Sequence, residues 1–117
     1  MAKVVITNTT KGRLPSLPFA DIATTILGKD YELSLVFCAN DLSRRLNRTY
    51  RQKDYATNVL SFSISKNSGE MFINLRKLKG FSVGNLFIHG LFHLKGLDHG
   101  ATMESAEAKV RKEFKIS

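Results

Sequence analysis

The chain has 117 residues, 43% of them hydrophobic and 24% charged, enough apolar material for one core and too little polar bias for a disordered segment. Eighteen Lys and Arg against ten Asp and Glu leave a net charge of +8, which favours polyanionic partners. No apolar run approaches the roughly 18 residues of a spanning helix. The start, Met1-Ala2-Lys3-Val4-Val5, lacks a signal-peptide core, and the single cysteine, Cys38, has no partner for an internal disulfide. The expectation is one domain over 1–117, cytoplasmic, with no membrane partner.

In chain order, Val4 to Thr7 is a β-branched run that predicts a strand. Phe19, Ile22, Ala23, Ile26 and Leu27 recur at helical spacing, with Ser16 ahead of Pro18 as the start signal and Gly28 as the stop. Tyr31 to Cys38 alternates and then turns wholly apolar, as a strand entering a core does. Asp41 is the expected N-cap of a second helix, with Leu42, Leu46 and Tyr50 on its apolar stripe and Arg44, Arg45 and Arg48 off it. Val59 to Ile64 and Met71 to Leu75 flank the turn residues Ser65-Lys66-Asn67-Ser68-Gly69 and predict an antiparallel pair. Ser82 caps a helix through Leu86, Phe87, Leu91 and Leu94 that Gly96 ends, and Met103, Ala106, Val110 and Phe114 mark a C-terminal amphipathic helix. The order βαβαββαα implies an α+β fold, a mixed sheet of about four strands with helices packed on it.

All three histidines fall in His89-Gly90-Leu91-Phe92-His93-Leu94-Lys95-Gly96-Leu97-Asp98-His99. His89 and His93 lie one helical turn apart, so both imidazoles project from one face and can share an ion. Gly96 permits a tight turn that returns His99 as a third nitrogen donor. Three protein ligands with an open fourth position are the catalytic type of zinc site, where bound water becomes a hydroxide nucleophile near neutral pH; imidazole also suits nickel, copper and iron. Metallopeptidases with this histidine spacing carry a glutamate base directly after the first histidine. Here Gly90 stands there, which disfavours peptide hydrolysis. A glycine in mid-helix also suggests close approach by another backbone or a substrate. Asp98 either orients a ligand imidazole, accepts a proton, or is an ordinary turn residue.

Residues 44–53 carry Arg44, Arg45, Arg48, Arg51 and Lys53 with no acid among them. Guanidinium forks suit phosphate oxygens, and Tyr50 and Tyr55 suit unpaired bases; the same pattern also fits a solvated helix face. The run Leu46-Asn47-Arg48-Thr49-Tyr50-Arg51 through Val59-Leu60-Ser61-Phe62, then Gly69-Glu70-Met71, the histidine block and Met103-Glu104, resembles the YbeY family of bacterial metal-dependent endoribonucleases. The resemblance implies a zincin-like fold and a single-strand-specific RNA hydrolase of ribosomal RNA maturation, chiefly of the small subunit, and of ribosome quality control. It implies one zinc held by His89, His93 and His99, and Arg51 beside the metal on the scissile phosphate. RNA, as an rRNA precursor, and the ribosome or its small subunit with assembly factors are the implied partners. The alternative is an RNA- or ribosome-binding assembly factor with a mainly structural metal.

Three departures from the family pattern stand out. Asn58 replaces the usual aspartate, so that a carboxylate role there is lost or reduced to hydrogen bonding. Leu97 replaces a common tyrosine and Phe92 a common leucine, changes of packing more than of chemistry. The stretch from Leu75 to Gly84 is shorter than usual, which leaves the groove more open.

Overall fold

The computed structural model describes residues 1–97 and 100–117 and follows the expected order. It comprises β1 (Lys3–Asn8), α1 (Phe19–Leu27), β2 (Glu32–Cys38), α2 (Asn40–Arg51), β3 (Val59–Ser65), β4 (Ser68–Asn74), α3 (Val83–Leu94) and α4 (Ala101–Phe114). The sheet runs β1-β2-β4-β3; β1 pairs with β2 and β2 with β4 in parallel, while β3 returns antiparallel to β4. The sheet is therefore mixed, its only tight connection among the described strands being the β3–β4 hairpin.

Strand alternation divides the apolar residues between two faces. Leu33, Leu35, Phe37, Met71 and Ile73 point toward α1, α3 and α4, where Ile22, Phe87, Ile88, Leu91 and Met103 complete the main core. Phe87 meets Phe19 edge-on at 4.9 Å, and full burial of such side chains contributes about 1.5–3 kcal/mol each. Val36, Cys38, Leu60 and Phe72 form a smaller cluster on the other face, beneath Leu42 and Leu46 of α2. β1 is an edge strand whose Val5 and Ile6 stay 51% and 43% exposed.

Two sequence expectations change. Neither Ser16 nor Asp41 caps a helix. α1 begins after Pro18 and α2 after an extended Ala39, both without a side-chain cap. Asp41 lies instead in the first turn, where its charge faces the positive end of the helix dipole. The second change concerns α2, whose Leu42 and Leu46 are half-buried while Tyr50 is 63% exposed, its ring resting on Phe62 at 5.3 Å. The residues that α2 buries are Ser43 and Asn47. Ser43 Oγ donates to the Thr57 carbonyl (2.7 Å) and accepts from the Thr57 N–H (2.9 Å), and Asn47 Nδ2 donates to the Tyr55 carbonyl (2.9 Å). Asn74 Nδ2 adds bonds to Asn40 Oδ1 and the Thr57 carbonyl. Polar side chains thus fix the backbone of 55–58, which joins Arg51 at the end of α2 to β3.

Candidate active site

α3 carries the histidine pair. Ser82 Oγ accepts from the Asn85 N–H (3.0 Å) and sets the helix start. At the far end Gly96 adopts φ +97°, its N–H donates to the His93 carbonyl (3.0 Å) and the Leu97 N–H to the Phe92 carbonyl (3.1 Å). This is the Schellman arrangement that stops a helix and turns the chain. Gly90 lets α3 sit close on the sheet, because a Cβ there would come within 2.6 Å of Met71 Cε and 2.9 Å of Ser61 Oγ. Close approach is therefore the structural reason for this glycine.

The two imidazoles stand perpendicular, 4.6 Å apart, with Nε2 of His93 3.1 Å from Nε2 of His89. His89 Nδ1 lies 2.9 Å and 3.3 Å from the two carboxylate oxygens of Glu107, a buried residue of α4. A carboxylate only accepts, so a neutral His89 donates from Nδ1 and carries its lone pair on Nε2, toward His93. The donor chemistry fits a metal ion. Two imidazole nitrogens on a tetrahedral zinc, at 2.0–2.1 Å each, would be separated by about 3.3 Å. Among the described residues no third His, Cys, Asp or Glu joins the pair as a ligand set. The remaining expected ligand, His99, and the expected orienting residue, Asp98, lie outside the described residues.

His89 and His93 open into a cavity of about 640 Å³ that Arg51, Asn58, Ser61, Phe81, Asn85 and Arg111 also line. Arg51 is the member of the basic segment that reaches it. Arg44, Arg45, Arg48 and Lys53 are exposed and do not line this cavity. Asp54, the residue directly after that segment, receives a bidentate pair from Arg44 (2.8 and 3.1 Å), and the Arg44 guanidinium holds its carboxyl below the usual aspartate range. Ser61 Oγ is buried at the cavity wall without a hydrogen-bond partner among the described residues. Cys38 is fully buried in the cluster under α2, where burial pushes its thiol up to about 11, so it supplies no thiolate near neutral pH.

Sequence reasoning missed Glu107 and Arg111. Their signal was spacing: Met103, Glu107 and Arg111 stand four apart on α4, and a carboxylate in register with the apolar stripe invites a buried partner.

A sequence model of the family described as Endoribonuclease YbeY matches residues 16–116. A protein named Endoribonuclease YbeY from Alkaliphilus metalliredigens is 38% identical over a 109-residue alignment that covers 75% of this chain and 70% of its own. One of the same name from Chlorobium phaeobacteroides is 30% identical, covering 93% of this chain and 92% of its own. The solution structure of TM1509 from Thermotoga maritima has the same fold, with a TM-score of 0.60 at 20% identity over 98% of this chain and 92% of that one. By the family match and these identities, the chain belongs to the YbeY endoribonuclease family.

Proposed function

We propose that the chain is a zinc-dependent, single-strand-specific endoribonuclease of ribosomal RNA maturation and ribosome quality control. It works in the cytoplasm on an rRNA precursor, with the small ribosomal subunit and its assembly factors as partners. The observation that carries the reading is the convergence of His89 Nε2 and His93 Nε2, 3.1 Å apart, in the cavity that Arg51 also lines. His89, His93 and His99 would hold one zinc per chain, and Asp98 would orient His99 or accept a proton. When bound, such an ion supplies Lewis acidity and a water acidic enough to be deprotonated near neutral pH. Arg51 donates to the non-bridging oxygens of the scissile phosphate, which places the phosphodiester against the histidines. Glu107 fixes the ring of His89. Arg44, Arg45, Arg48 and Lys53 extend the positive field along which the rest of the strand lies, Arg44 with its charge partly offset by Asp54.

The test is metal content by native mass spectrometry, alongside cleavage of single-stranded and duplex RNA. About one zinc per chain is expected, lost in His93→Ala without loss of fold. Cleavage of single strands should vanish in that variant and fall about 10²–10³-fold in Arg51→Ala. Metal-loaded protein that leaves single-stranded RNA intact would refute the proposal. Undiminished function in His93→Ala would assign the chain to RNA-binding assembly factors.

A further inference from the structure

Phe81 is 52% exposed and lines the same cavity as His89, His93 and Arg51. It directly precedes the Ser82 cap, where an apolar residue ordinarily packs down on the fourth helical position, here Leu86. Leu86 is buried and lines the cavity as well, while Phe81 keeps half its surface exposed. Its backbone is fixed on both sides. Lys79 and Gly80 turn through φ 55° and 82°, the Phe81 N–H donates to the Leu78 carbonyl (3.1 Å), and the helix cap follows. Asn85, His89 and His93 recur at intervals of four along one edge of α3, and Phe81, just ahead of the cap, lines the same cavity as they do. Apart from the two histidines, Phe81 is the one aromatic side chain among the described residues lining the cavity, and Arg51 and Arg111 bring cations to it.

An exposed ring and two guanidiniums lining one cavity offer what a nucleotide presents, a surface for the base and cations for the phosphates. We propose that Phe81 stacks on the nucleobase adjoining the phosphodiester that Arg51 engages; this rests on the RNA-cleaving reading above. A base already stacked in a duplex has no free face for the ring, so Phe81 contributes to selection of unpaired strands.

The probe is a fluorescent single-stranded oligoadenylate, with a matched oligomer carrying an abasic position at the contacted site. Binding is read by anisotropy in the His93→Ala background, where cleavage is removed. Phe81→Ala should weaken binding of the intact oligomer about 5- to 150-fold, the range for loss of one base-stacking aromatic, and Phe81→Trp should restore it. The abasic oligomer should bind Phe81→Ala and its parent alike, whereas Arg51→Ala should weaken both oligomers. Unchanged affinity in Phe81→Ala, or equal losses on the intact and abasic oligomers, overturns the stacking role while leaving the nuclease reading in place. Failure of the unsubstituted protein to bind either oligomer refutes both.

Discussion

Replacing Glu107 tests the site at its least exposed contact. Glu107 and His89 have side chains 11% and 27% exposed and meet at 2.9 Å. Glu107→Ala leaves the His89 Nδ1–H mostly out of reach of water, a cost of about 1–3 kcal/mol, and frees the ring to adopt the tautomer that turns a proton toward His93. Loss of such an outer partner weakens metal binding about 10–100-fold, or about 1.4–2.8 kcal/mol at 1.4 kcal/mol per decade. The first cost falls on folding and is read in the melts; the second falls on metal affinity at the site proposed above. Glu107→Gln keeps an oxygen that accepts from Nδ1 but loses the charge, and a charged hydrogen bond is roughly twice as strong as a neutral one. That variant should fall between the parent and Glu107→Ala. The assay is competition for zinc against a chromophoric chelator, with thermal melts to confirm that each variant folds. Zinc affinity in Glu107→Ala within about two-fold of the parent, against the expected 10–100-fold, would refute the role of Glu107 in setting the donor atom of His89.

Gly90→Ala gains about 1 kcal/mol of helix propensity but drives a methyl against Met71 and Ser61, and overpacking costs about 1–3 kcal/mol; a lower Tm is expected, and a higher one would show that those neighbours yield freely. Cys38, with its thiol pushed up to about 11, should resist alkylation at pH 8 in the folded protein and react fully in denaturant, as followed by intact mass. Asp54, whose carboxyl is held low by Arg44, stabilises the fold above the ordinary aspartate range and stops doing so as pH falls through its depressed value. The Tm difference between the parent and Asp54→Asn should therefore be small at pH 7, because the pair is solvent-exposed, and vanish in acid.

The element order was legible because each segment carries its own period, and Ser82 and Gly96 bracket α3 as their chemistry dictates. The first two histidines were legible because a helix converts a four-residue spacing into a shared face. What failed involves partners distant in sequence. The buried face of α2 is Ser43 and Asn47 rather than its leucines, since the loop at 55–57 brings backbone groups that need hydrogen bonds. Leu42 and Leu46 meet only the small second cluster. The basic segment looked free of acids until Asp54 folded back on Arg44, ten residues away. Glu107 lies 18 residues beyond His89 and only helix docking reveals their contact.

The hairpin turn between β3 and β4 has a consequence for how the molecule is assembled. Pairing of β3 with β4 closes a loop of a few residues, while Glu32 must find Ser68 and Lys3 must find Glu32 across far longer stretches of chain. Short loops cost less closure entropy and form sooner. The hairpin supplies Ser61 and Met71, the surface on which Gly90 rests, so the bed for the histidine helix belongs to the most local part of the sheet. From Arg51 to Arg111 the cavity draws on one continuous stretch of chain, and β1, α1 and β2 contribute no residue to its lining among those described. Destabilising changes in β1, away from the histidine helix, are therefore expected to reduce how much protein is folded more than the turnover of each folded molecule, whereas changes in α1, which packs on α3 through Phe19 and Phe87, reach both.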